Sequence, residues 1–172
     1  TGGNKADIER FYAANDTFQS FWAGHHETQP GDIVLLYGLA PYSGIVGIFR
    51  AFSKSYYDPF SYYPQRIWVG APIKIPSIGL YELKENKVWR KKGLVKANMQ
   101  GVNGRACSAQ EYEALLQMLA KKGFDVSVLP ERSCFQSANK MLLNEQNVEE
   151  KLLEPLLLRL GFLEKDWLRQ MS

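Results

Sequence analysis

From Phe49 to Trp68 the chain carries Phe49, Phe52, Tyr56, Tyr57, Phe60, Tyr62, Tyr63 and Trp68, with Arg50, Lys54 and Arg66 among them. A hydrophobic core takes some of these rings. It has little use for so many tyrosines in a Pro-broken loop, because each buried hydroxyl must find a partner. A platform for flat ligands uses them. Trp22, beside Phe21, and Trp68 each suit either a core or an aromatic wall. Tyr37 ends an apolar run, which suits the core better than a rim.

The other reactive side chains do not assemble into a catalytic pattern. Cys107 and Cys134 lie far apart without a CxxC partner, so neither a zinc site nor a disulfide scaffold is indicated, and a reducing cytoplasm is expected. His25-His26 lacks a third metal ligand at suitable spacing and reads as an exposed loop pair. There is no GxSxG and no paired-carboxylate motif. A non-catalytic protein without cofactor or metal is the expectation.

These residues need a scaffold. Gly31-Asp32 is a turn signal, and the apolar run that follows to Tyr37 reads as a buried strand. Leu39 to Gly44 reads as a loop, and Ile45 to Phe52 as a second, antiparallel strand. Gly47 inside it suggests a bulge or a close approach to the backbone. Arg66 to Ile75 reads as a third strand, with Pro72 at an edge or bulge.

Ahead of the hairpin, Ala6 to Ala14 has Ile8, Phe11 and Tyr12 at helical spacing. Thr17 to Ala23 is open between a helical turn and an extended segment. After the third strand, Ile78 to Glu85 reads as a short helix. Val88 to Lys96 reads as a basic turn, either solvated or touching phosphate. Gln100 to Cys107 suggests a turn and a short strand. Ser108 to Glu111 is a capping box, and Tyr112, Leu115, Leu116 and Leu119 share one face of the helix it starts. Gly123 suits that helix's C′ position. Phe124 to Leu129 alternates with period two and reads as a strand.

Composition shifts after Pro130. Helices are expected over 133–143, 147–160 and 164–171, the second with a stripe of Val148, Leu152, Leu153, Leu156, Leu157 and Leu160. That stripe must pack on the β domain, a second copy or a further domain. The whole chain of 172 residues suits one domain with an appendage. Its net charge of +3 permits nucleic-acid binding without arguing for it. No apolar run approaches the ~18 residues of a membrane helix.

The central motifs, GDIVLLYG, then Gly-Ile-Val-Gly-Ile, then Tyr-Tyr-Asp-Pro, resemble the EVE family of PUA-like domains, across roughly residues 6 to 123. The related YTH family shows a similar order, with Trp22, Ser43-Gly44 and Gly47 as the matching positions and Trp68 or Tyr57 standing where a second cage tryptophan would fall. The resemblance implies an α+β fold: a small PUA-like β-barrel flanked by helices, residues 6–130, with a helical C-terminal extension, residues 131–172. It also implies a pocket for one modified base. Trp22, Tyr57 and Trp68 are then candidate walls, with Tyr37 and Tyr42 near the rim. Ser43, the backbone around it and Asp58 are candidates for reading the base edge. Arg50, Lys54 and Arg66 are candidates for phosphate. Asp58 before Pro59 equally suits an Asx-turn.

Glu149 to Phe162 resembles the first helix of restriction-type nuclease domains, and equally suits an ordinary helix closing a core. Together these imply a DNA reader of methylated or hydroxymethylated cytosine or N6-methyladenine, the targeting module of a restriction system with a fused or associated nuclease. The alternatives are an RNA-binding PUA-like domain, or a protein-interaction module using the Leu-rich tail helix.

Overall fold

A computed structural model describes residues 1–101 and 104–129. The helices expected over 133–171, and the stripe on them, lie outside the described residues. The described chain is α+β, as expected. Its strands are β1 (Gly2–Gly3), β2 (Gln19–Ala23), β3 (Ile33–Gly38), β4 (Gly44–Ala51), β5 (Tyr56–Tyr57) and β6 (Gln65–Gly79). Its α-helices are α1 (Lys5–Ala13), α2 (Leu80–Glu85), α3 (Gly93–Lys96) and α4 (Ala109–Lys121).

The strands join in the order β1-β3-β4-β6-β2, with β5 added to β6. Only β1 runs parallel to its neighbour. β1 and β2 end the series without pairing, so the sheet is a half-barrel with a seam between them. At the seam a Cβ on Gly3 would stand 2.9 Å from the Trp22 ring, so glycine leaves the indole room to reach across.

The predicted hairpin of β3 and β4 is present, and Gly47 explains its shape. Leu36 opposes Gly47 while Tyr37 opposes Ile45, so Val46 is an extra residue. Such a bulge puts two successive residues on one face. Gly47 lies under Phe11, whose Cζ would be 2.0 Å from an added Cβ. Both predicted roles of Gly47, bulge and close approach, are therefore met. Pro72 also falls at a bulge: between Arg50↔Gly70 and Ile48↔Ile73, β6 holds one residue more than β4.

Each side of the sheet is covered over part of its area. Ile8 and Phe11 of α1 pack with Leu36, Val46, Phe49, Ile67 and Val69 on one side. Full burial of a side chain such as Phe11 contributes about 1.5–3 kcal/mol. On the other side Ile45, Ile48, Ile75 and Ile78 meet Leu83, Trp89, Val95, Leu115 and Leu119. This helical flank is also tied by charge. Lys122 Nζ donates to the Ser77 carbonyl at 2.7 Å and pairs with Glu82 at 2.9 Å. Lys92 Nζ lies 2.7 Å from both the Ala106 carbonyl and Glu111, and that ion pair is largely buried. Glu111 also closes the predicted capping box with Ser108.

Three expectations are corrected. Phe124 to Leu129 holds a 3₁₀ turn, Val126–Val128, and no strand. Asp125 Oδ1 accepts from the Ser127 N–H at 3.0 Å and its hydroxyl at 2.7 Å, a local bond that competes with extended pairing. The described residues between 100 and 107 contain no strand. Val88 to Lys96 is a 3₁₀ turn and α3, with Trp89 and Val95 buried and Lys92 committed to Glu111. Thr17 to Ala23, open on sequence, is extended at β2.

Candidate binding site

A cavity of about 300 Å³ opens at the seam. It lies along the outer edge of β2, and Phe18, Phe21, Trp22 and Tyr63 bring aromatic rings to it. Arg10, Arg66 and Asp7 bring charge. Asp7 is already engaged, since its carboxylate accepts from the Asn4 N–H at 3.0 Å in the capping box of α1.

Two features make the cavity more than a gap. Trp22 Nε1 and Arg66 Nε are both buried and have no hydrogen-bond partner among the described residues. Such orphaned donors cost about 1–3 kcal/mol each. The rest of the Arg66 guanidinium is held, by the Ser61 hydroxyl at 3.1 Å and the Phe21 carbonyl at 3.3 Å, and it lies 4.6 Å from the Phe21 ring centroid. In addition, the Gly24 N–H donates across to Gln65 at 3.0 Å. Antiparallel pairing alternates, so Trp22 and Ser20 bond inward to β6 while the backbone groups of Phe21 and Ala23 turn toward the seam. The site thus offers flat walls, two cations and unpaired N–H donors. It suits a planar ligand with acceptor atoms and an attached anion.

The structure distributes the sequence candidates over several places. Trp22 packs against Phe49 and also lines the cavity, so it serves both core and wall. Trp68 opposes Phe21 in the β2–β6 ladder while Trp22 opposes Ile67. Successive side chains alternate across a strand. Trp68 therefore stands on the opposite face from Trp22, and the two do not wall one pocket. Tyr57 is 68% exposed on β5, away from the cavity lining. Tyr37 is in the core under the helices, where burial pushes its hydroxyl pKa up. Tyr42 packs on the α1 side with its ring 6.1 Å from Tyr12.

Ser43 is exposed in the β3–β4 loop with φ +45°, and its carbonyl accepts from Leu80 at 2.9 Å. Asp58 makes the Asx-turn, accepting from the Phe60 N–H at 3.0 Å. Arg50 Nη1 donates to the Gly31 carbonyl at 2.5 Å, Lys54 is exposed, and only Arg66 of the three phosphate candidates lines the cavity. The His25-His26 pair gains Glu27, with ligand atoms of all three within 4.8 Å. A turn closed by Thr28 N–H on the His25 carbonyl gathers these consecutive residues, which spacing rules do not foresee. His25 Nδ1 accepts from the Glu27 N–H at 3.4 Å.

Sequence reasoning did not place Arg10, Phe18, Phe21 or Tyr63 at this cavity, although Tyr63 stood among the rings of the expected platform. Phe21 carried a signal in its position next to Trp22. The others depend on which strand ends the sheet.

No protein-family model matches the chain, and no curated protein matches it. Solved structures are similar over part of it. Rpa0253 from Rhodopseudomonas palustris is 18% identical, with TM-score 0.47 over 67% of this chain and 82% of that one. ASCH from Zymomonas mobilis is 11% identical, with TM-score 0.45 over 68% and 93%. Atu2648 from Agrobacterium tumefaciens is 17% identical, with TM-score 0.43 over 56% and 66%. Likeness at this level carries nothing about ligand or activity. No helix among the described residues is long and apolar enough to cross a membrane.

Proposed function

We propose that this chain is a non-catalytic reader that receives one modified base, flipped out of DNA, in the seam cavity. The observation that carries the reading is the pair of orphaned donors, Trp22 Nε1 and Arg66 Nε, in residues that line an aromatic and cationic cavity. A base edge supplies acceptors, and its phosphate supplies the anion for Arg10 or Arg66. Extruding a base costs a few kcal/mol, and stacking on rings returns about 1–3 kcal/mol per base. Binding therefore runs near balance until something small tips it. Burying one methyl-sized group contributes about 0.8 kcal/mol, which favours a methylated base over a plain one. With the tail's resemblance to a nuclease opening helix, this makes the chain the targeting part of a modification-dependent restriction protein.

The test is a titration of the full chain at fixed salt. Oligonucleotides are plain or carry 5-methylcytosine, 5-hydroxymethylcytosine or N6-methyladenine, each as DNA and as RNA. A preference for one modification in DNA, lost in Trp22→Ala, supports the reading. The same preference confined to RNA moves it to an RNA reader. Equal, salt-sensitive binding to every strand sinks it.

A further inference from the structure

A group of exposed rings begins at the cavity, with Phe21 and Tyr63 on its lining, and extends beyond it. Phe21, Phe52, Tyr56, Tyr57, Phe60, Tyr62, Tyr63 and Trp68 are each more than a third exposed. Aromatic exposure on this scale marks a surface meant for contact. Part of it is built into the sheet. Arg66, Trp68 and Gly70 alternate with buried Ile67 and Val69 on β6, so they share its outer face. Gly70 has no ring of its own but carries that of Phe52: a Cβ there would stand 2.3 Å from Phe52 Cε2. Phe52 is fixed in that place by its N–H on the Trp68 carbonyl at 2.7 Å, and the Trp68 N–H donates to the Ser53 hydroxyl at 2.9 Å. Phe21 sits edge-on to Trp68 at 5.7 Å between centroids, with Arg66 over it. The row Phe52, Trp68, Arg66 thus ends at a residue that also lines the cavity.

We infer that this row is a stacking track for a single-stranded nucleic acid, its bases splayed apart, that leads the strand into the seam cavity. The inference rests on the reader reading for the cavity and adds the form of the substrate. Spacing decides that form. Residues two apart on a strand stand roughly 6.5 Å from one another. Bases in a duplex strand rise by about 3.4 Å. A track with twice that spacing fits an unstacked strand and misfits a helix. Rings accept any base face, and Arg66 adds a cation beside them, so the track tolerates sequence while the cavity selects.

The test uses the full chain, fluorescein-labelled (dT)7 and a seven-residue strand of the same backbone with every base removed, read by anisotropy at fixed salt. (dT)7 is expected to bind at least about fivefold tighter than the abasic strand. Trp68→Ser and Phe52→Ser, both at half-exposed rings, are expected to erase that difference while the variants still melt cooperatively and keep the salt dependence of the wild type. Equal binding of the two strands, or a preference that both variants keep, overturns the track. Self-association of the wild type that the same variants abolish assigns the face to a second copy and also overturns it. The two readings fail separately. Loss of modified-base discrimination with the (dT)7 preference intact removes the reader alone. Discrimination without any (dT)7 preference removes the track alone.

Discussion

The flank under α2 and α4 and the flank at β2 use polar groups in opposite ways. On the helical flank Glu82 meets the Gly79 N–H and Lys122, and Glu111 meets the Ser108 N–H and Lys92. Burial pushes both carboxyls up, but these hydrogen bonds and the lysine charges outweigh it and hold both below the usual range. Trp89 Nε1 is the orphan on that side. At β2, by contrast, two donors of cavity-lining residues have no partner among the described residues, the outer edge of the strand has no neighbouring strand among them, and large rings face out. A fold that pairs its carboxylates on one flank and leaves donors unpaired beside a cavity on the other keeps the groups that hold it together apart from those open to a ligand.

The strongest way to break this contrast is Glu111→Ala. It strands Lys92 and removes half the capping box, so we expect a stability loss of roughly 3–5 kcal/mol in urea denaturation, with ligand affinity per folded molecule unchanged. A parallel loss of affinity would show that the flanks are coupled. The same residue carries a pH signature. A carboxyl whose pKa is lower folded than unfolded stabilises above the unfolded value and loses that contribution as pH falls through the folded value. Stability should therefore drop below about pH 4.5, the ordinary glutamate value, and Glu111→Gln should flatten that limb.

A smaller change sharpens the contrast from the other side. Trp22→Phe keeps a ring and deletes the orphaned N–H. Stability should stay within about 1 kcal/mol or rise, because an unsatisfied donor is removed, while base affinity falls roughly fivefold. A stability loss well beyond that would make the indole N–H a structural group. The smallest effect belongs to Phe60→Ser and Tyr62→Ser, 98% and 90% exposed, which should each move stability by less than about 0.5 kcal/mol.

Local chemistry was legible in the sequence. The Ser108 capping box, the hairpin with Gly47 and the inward face of α1 each follow from spacing over a few residues. Phe124 to Leu129 misled because its alternation was real but Asp125 captured the backbone first. The site was legible only in part. Trp22 and Arg66 are among the sequence candidates, yet the family resemblance sets Trp22 with Trp68 and Tyr57 as walls of one pocket. Their separation depends on register: Trp68 faces Phe21 and not Trp22, a fact set by a ladder between segments more than forty residues apart. Arg10 joins the site because β1 and β2 are the two ends of the sheet, which no short stretch encodes.

That long ladder also bears on the order in which the molecule is made. β3 and β4 are neighbours in sequence, but β2 has no partner until residues 66–70 exist. During synthesis at about 5–20 residues per second, β2 waits several seconds unpaired, with Phe21 and Trp22 in the open. Distant pairings of this kind form late. The cavity is therefore completed only once β6 has been threaded between its neighbours. On the proposed reading, ligand binding reports the finished sheet, and a truncated or stalled chain that already holds its hairpin should bind no base.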